Sequence, residues 1–151
     1  MKRLMSLLLV FVVCVLVGCG NNQTTTSKKK SSSNSMYKTI DIDLSIMSST
    51  VVYSQVYDMV TNPDNYVDSI VKVKGTFTAY HNEQTNVYYP AVIIKDATAC
   101  CAQGLEFLLY GKAIYPTDYP RMNQEITVIG VFKTYNEGTQ KYCRLVDTVL
   151  V

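Results

Sequence analysis

The sequence predicts a mainly β protein: a small five-stranded barrel preceded by a strand and a short helix. Three observations predict it. Residues 71–80 (VKVKGTFTAY) and 126–135 (ITVIGVFKTY) align without a gap on the frame apolar-x-Val-x-Gly-x-Phe-x-x-Tyr. Each is followed by a polar turn (81–86 and 136–140) and then by a second apolar run ending Ile94-Lys95-Asp96-Ala97 or Leu145-Val146-Asp147-Thr148. A fifth β run, residues 105–110, lies between these two hairpins. Gly75 and Gly130 interrupt the long strands where glycine normally weakens a sheet, so they mark a bulge or a sharp bend. Strongly coiled barrels turn their corners this way. The order hairpin, single strand, loop, hairpin is that of an OB-like barrel.

The chain divides into three parts. Residues 1–19 open with Met1-Lys2-Arg3, continue as an apolar run interrupted only by Ser6, and end at Gly18-Cys19. A bilayer span needs about 20 apolar residues, and this layout is that of a cleaved export signal. Leu16-Val17-Gly18-Cys19 resembles the lipobox of bacterial lipoproteins. That resemblance implies a diacylglycerol on the sulfur of Cys19, which becomes the first residue of the mature chain. Cys14 leaves with the signal. Residues 20–36 are almost wholly polar and form a disordered tether, since such a stretch cannot bury enough apolar surface to offset its ordering entropy. Lys28-Lys29-Lys30 can settle near anionic headgroups or simply solubilise the tether.

Residues 37–151 are long enough for one domain with one core. They hold nine basic and twelve acidic residues, a net charge of −3, against +2 for the whole chain. An acidic domain is a poor nucleic-acid binder, because phosphate contacts supply most of that affinity. In residues 39–46, Ile40, Ile42, Leu44 and Ile46 alternate with Asp41, Asp43 and Ser45, the pattern of a half-buried strand. Ser48 or Ser49 then caps a helix with Val52, Val56, Met59 and Val60 at helical spacing, stopped by Asn62-Pro63-Asp64. After the five strands' first three, residues 112–124 carry Tyr115-Pro116 and Tyr119-Pro120, which make a helix there unfavourable.

Several runs carry a resemblance that covers about residues 39–148. They are Ser49-Thr50-Val51-Val52-Tyr53, Asn62-Pro63, Val71-Lys72-Val73-Lys74-Gly75, Tyr115-Pro116-x-Asp118-Tyr119-Pro120, Tyr142-Cys143 and above all residues 96–107, DATACCAQGLEF. The chain resembles a family of small lipoproteins of Clostridia-like bacteria. Where that family tends to read Tyr-x-Gly-Lys before the first barrel strand, this chain has Tyr66-Val67-Asp68-Ser69. The resemblance implies a lipid-anchored OB-like domain and carries no activity with it.

The chemistry-bearing residues are few. In an OB-like barrel the third and fifth strands run parallel, so strands starting near Leu105 and Tyr142 should bring Cys143 beside Cys100 and Cys101. Three arrangements are open: a disulfide (Cys143 to one of the pair, or the vicinal pair itself), a zinc-like site completed by Glu106, Asp96 or His81, or cysteines that merely pack. With one histidine and no framed nucleophile, no nucleophile–base pair is offered, and the sequence argues against an enzyme. Asp96 and Asp147 recur at equivalent hairpin positions, where aspartate usually satisfies turn amides. Twelve tyrosines and no tryptophan suggest an amphipathic ligand surface made by Tyr80, Tyr88, Tyr89, Tyr110, Tyr115 and Tyr119, with Tyr135 also beside a loop. The expected whole is a monomeric, lipid-anchored module on the extracytoplasmic face of a bacterial membrane. It would bind an envelope peptide, glycan or protein, and the alternative is a thiol-based metal or redox protein using Cys100, Cys101 and Cys143.

Overall fold

A computed structural model describes residues 36–151 of the chain. These residues are mostly β. Strand β1 (Ile42–Asp43) leads through a short 3-10 turn (Leu44–Ile46) to helix α1 (Ser49–Thr61). Five long strands follow: β2 (Ile70–Asn82), β3 (Val87–Lys95), β4 (Ala102–Leu109), β5 (Glu125–Glu137) and β6 (Gln140–Leu150). The sheet order is β1-β2-β3-β4-β6-β5, and β2 also pairs with β5, so hydrogen bonds run in a ring through five strands. All pairings in that ring are antiparallel except β4 with β6. The fold is barrel-like.

The two-fold repeat in the sequence becomes a two-fold pairing in space. Val73 faces Val128, while Gly75 faces Ile126 and Val71 faces Gly130. Strand β5 meets β6 from Val128 onward while still paired with β2 as far as Val131, whereas β2 passes from β5 to its own hairpin partner β3 at Thr76. Gly75 lies next to this switch, and an added Cβ would come within 2.5 Å of the Ile93 carbonyl oxygen. At Gly130 the same atom would meet Thr148 Oγ1 at 2.5 Å and the Val146 carbonyl at 3.0 Å. There β6 carries an extra residue against both neighbours, accommodated by Asp147 in the left-handed region (φ 51°). Asp147 is therefore a bulge residue, and its carbonyl accepts the Tyr37 hydroxyl.

Inward-facing residues alternate along every strand, as a half-buried sheet requires. Phe77, Phe107 and Phe132 are fully buried with Val71, Val73, Val92, Leu105, Val128 and Leu145. Each such side chain contributes about 1.5–3 kcal/mol on removal from water. Helix α1 packs on β3 and β4, burying Val52, Val56 and Met59; Val60, expected on the same face, is exposed. Residues 112–124 form turns without a helix, and Tyr119 stacks on Phe77.

Two expected boundaries are corrected. The strand expected over residues 39–46 is only two residues long. Asp43 accepts the Ser45 amide at 3.0 Å and its hydroxyl at 2.5 Å, which bends the chain into the 3-10 turn. A local side-chain bond of this kind competes with a ladder, and it leaves Ile46 outside the core. Strand β4 opens at Ala102 rather than Leu105, because its pairing with β3 continues to Lys95 opposite Ala102.

Candidate functional site

The outward-facing residues of the ring follow from the registers. Tyr80 faces Tyr89 across the β2–β3 hairpin, and Tyr135 faces Tyr142 across β5–β6. Between the two hairpin arms, Glu106 of β4 faces Ala91 on one side and Arg144 on the other. Directly opposite residues share a face, so all of these lie on one outer surface. On this surface Tyr80, Asn82, Tyr89, Glu106, Tyr135, Glu137 and Tyr142 line a cleft of about 320 Å³.

Its electrostatics are set by two carboxylates and a guanidinium. Glu106 accepts the Tyr135 hydroxyl, and one of its oxygens lies 3.5 Å from Arg144. Arg144 also lies over the Tyr135 ring, 4.2 Å from its centroid. Burial raises the Glu106 carboxyl above its usual range, against the opposing pull of Tyr135 and Arg144. The Tyr135 hydroxyl is raised by burial and by its bond to Glu106. At the rim, Tyr89 donates to Glu137 at 2.9 Å, which raises the Tyr89 hydroxyl. The exposed rings are Tyr80 (67 %) and Tyr142 (46 %). A larger hollow of about 540 Å³ lies among Lys74, Asp118, Gln124 and Glu125. Its one lysine is already paired with Glu125 at 2.9 Å, and no set of groups converges there.

The six tyrosines expected on one surface divide among three places. Tyr80 and Tyr89 belong to the cleft. Tyr88 and Tyr115 stack on the opposite face of the β2–β3 arm, with ring centroids 4.4 Å apart. His81 stacks on Tyr88 at 4.2 Å, and Tyr119 continues the column to Phe77 and Phe107. This column extends the core outward along the inner face of the arm. Tyr110 is exposed at the end of β4, apart from both sets. Asn82, Glu137 and Tyr142 are cleft residues that sequence reasoning passed over, as is Arg144, which stands beside the cleft against Glu106. The repeat frame held a signal for this end of the cleft, since its final tyrosine is Tyr80 in one copy and Tyr135 in the other.

The expected meeting of three cysteines does not occur. The parallel ladder of β4 and β6 pairs Glu106 with Arg144, which sets Cys143 level with Leu105. That is four residues past Cys101, or about 13 Å of strand at roughly 3.3 Å per residue. Cys143 packs against the core, and its thiol is pushed up to about 11, mainly by burial and further by the Glu106 charge. Glu106 and His81 also stand away from the pair, Glu106 on the cleft floor and His81 bonded to Asn86 at 3.0 Å. All three cysteines are free thiols.

Asp96 does join Cys100 and Cys101. The loop between β3 and β4 closes through the Asp96 amide on the Cys101 carbonyl (3.0 Å) and the Ala99 amide on the Asp96 carbonyl (3.1 Å). Asp96 Oδ1 accepts the Cys100 amide at 3.0 Å and the Cys101 amide at 3.4 Å. Desolvation pushes the Asp96 carboxyl up, but the hydrogen bonds from Cys100, Thr98 and the two amides prevail and hold it below its usual value. Cys101 is raised by the adjoining Cys100 thiol.

Cys19 and the tether lie outside the described residues. No helix among the described residues is long and apolar enough to cross a membrane. Neither a family model nor a curated protein matches the chain.

Proposed function

We propose that the protein is a lipid-anchored, extracytoplasmic binding module whose OB-like domain takes an envelope glycan in the tyrosine cleft. The observation that carries this reading is the convergence of Tyr80, Tyr89, Tyr135 and Tyr142 around Glu106 and Glu137 on one outer face. In OB-folds the ligand crosses the face of the second and third barrel strands, between the loops that join strands one to two and four to five. The corresponding strands here are β3 and β4, and the corresponding loops are the tips of the two hairpins. Exposed tyrosine rings offer flat apolar platforms for the C–H faces of a sugar, while their hydroxyls and the carboxylates offer partners to its hydroxyl groups. Two carboxylates in the cleft and a net charge of −3 in the domain oppose a polyanion. The role we assign to the cleft is binding, which the exposed rings and their hydroxyls support.

The test is titration of the full chain in detergent micelles with soluble oligosaccharide fragments of the envelope, followed by tyrosine fluorescence. Tyr80→Ala and Tyr142→Ala remove exposed rings and should leave the fold intact. Each is expected to weaken binding about tenfold, equivalent to about 1.4 kcal/mol. Fragments that fail to bind, or that bind both variants as tightly as the parent, would rule the reading out.

A further inference from the structure

We propose that the loop between β3 and β4 is a metal site, in which Cys100, Cys101 and Asp96 hold a zinc-class cation with one coordination position open. Neighbouring residues in an extended chain point to opposite faces, so adjacent cysteines ordinarily hold their sulfurs apart. Here Ala99 takes a left-handed conformation (φ 57°), and Asp96 Oδ1 gathers the amides of both cysteines. The chain curls, and the two sulfurs come to 3.6 Å.

The same carboxylate turns its second oxygen onto the pair. Asp96 Oδ2 lies 3.3 Å from Cys100 Sγ, and donor atoms of all three residues fall within 4.8 Å of one another. These are the spacings a small cation requires. With bonds of about 2.3 Å to sulfur and about 2.1 Å to oxygen, tetrahedral donors stand about 3.8 Å apart for two sulfurs and about 3.6 Å for sulfur and oxygen. The thiols reach that spacing before any ion is added. Two thiolates favour a soft or borderline d10 ion, and three protein ligands leave a fourth position for water or a transferred ligand.

Exposure supports this reading over packing. Cysteine is among the most buried residue types, yet Cys100 and Cys101 are both exposed and lie outside the core cluster. Cys143, which does pack, takes no part. The site is independent of the tyrosine cleft, so either proposal can fail without the other.

The test uses the full chain in detergent, reduced and freed of reductant without air, with zinc ion alone competed against a colorimetric chelator. The parent should bind one zinc per chain and lose two alkylatable thiols on doing so. Cys100→Ala and Cys101→Ala should each abolish this binding, and Cys143→Ala should leave it unchanged. Asp96→Asn keeps an acceptor for the loop amides but removes the anionic ligand, and should weaken binding at least about tenfold. The proposal is overturned by zinc uptake that survives both cysteine substitutions, or by half a zinc per chain, which would mean an ion bridging two molecules. It is equally overturned by an Asp96→Asn variant that binds like the parent, since the carboxylate would then be only a turn acceptor.

Discussion

Burial separates the three thiols of the domain more sharply than their sequence positions do. Cys143 lies against the core, and its folded value of about 11 stands above the ordinary 9.0 because desolvation opposes the thiolate and the Glu106 charge adds to it. Access governs alkylation as well as thiolate character, so iodoacetamide at about pH 8 should label the exposed Cys100 and Cys101 in the folded protein and spare Cys143. Adding urea should remove the difference. The same shift has a consequence for stability. Below the unfolded value both states keep the Cys143 proton, and its stabilising contribution is complete. As pH rises from about 9 toward about 11, the unfolded chain releases the proton while the folded one holds it, so stability falls over that window. Urea melts of the parent and Cys143→Ala at about pH 8.5 and about pH 10.5 measure this directly, with the parent expected to lose more. Equal losses would mean that the Cys143 thiol is solvated in the folded state.

At the scale of the strands, the two mid-strand glycines are held by what approaches them. A Cβ at Gly75 would lie 2.5 Å from a backbone carbonyl of β3, and one at Gly130 would lie 2.5 Å from Thr148 Oγ1 on β6. Alanine is therefore already too large. Gly75→Ala and Gly130→Ala should each cost about 1–3 kcal/mol, the usual penalty of overpacking, while Thr78→Val on the outer face should cost far less. Denaturant melts decide it: alanine variants as stable as the parent would mean that the strands part without strain. The sequence marked both glycines through the repeat, because a period-2 pattern broken by glycine at equivalent positions is a local signal. Helix α1 and the ring of five strands were legible for the same reason. The short β1 was not, since the alternation over residues 39–46 competes with Asp43, whose carboxylate captures Ser45. Nor was the place of Cys143, which depends on the register of β4 against β6, set by pairings distant in sequence. The cleft was half legible: Tyr80 and Tyr135 share a position in the repeat, while Tyr142 and Glu106 join them only through cross-strand pairing.

For the whole molecule, the domain's acidity and the anchor expected at Cys19 pull in different directions, and the polar residues 20–36 between them carry the balancing charge. A domain of net charge −3 would be repelled by an anionic membrane surface, whereas Lys28-Lys29-Lys30, if anchored beside one, would be drawn to it at about 1 kcal/mol per lysine near the headgroups. The domain should thus stand off from the bilayer with its cleft accessible, held by lipid rather than by protein contact. The diacylglycerol expected on Cys19 would supply that hold, since a single chain binds only marginally and reversibly. Cys19→Ala removes the sulfur that would carry them. The variant should fail to incorporate a radiolabelled fatty acid and should either accumulate as precursor or appear in the medium. Because Cys19 is far in sequence from the barrel-like domain, the released domain should keep the melting behaviour of the parent, which separates loss of anchoring from loss of folding. Fatty-acid labelling that persists in Cys19→Ala would place the anchor elsewhere and remove the basis for an envelope ligand.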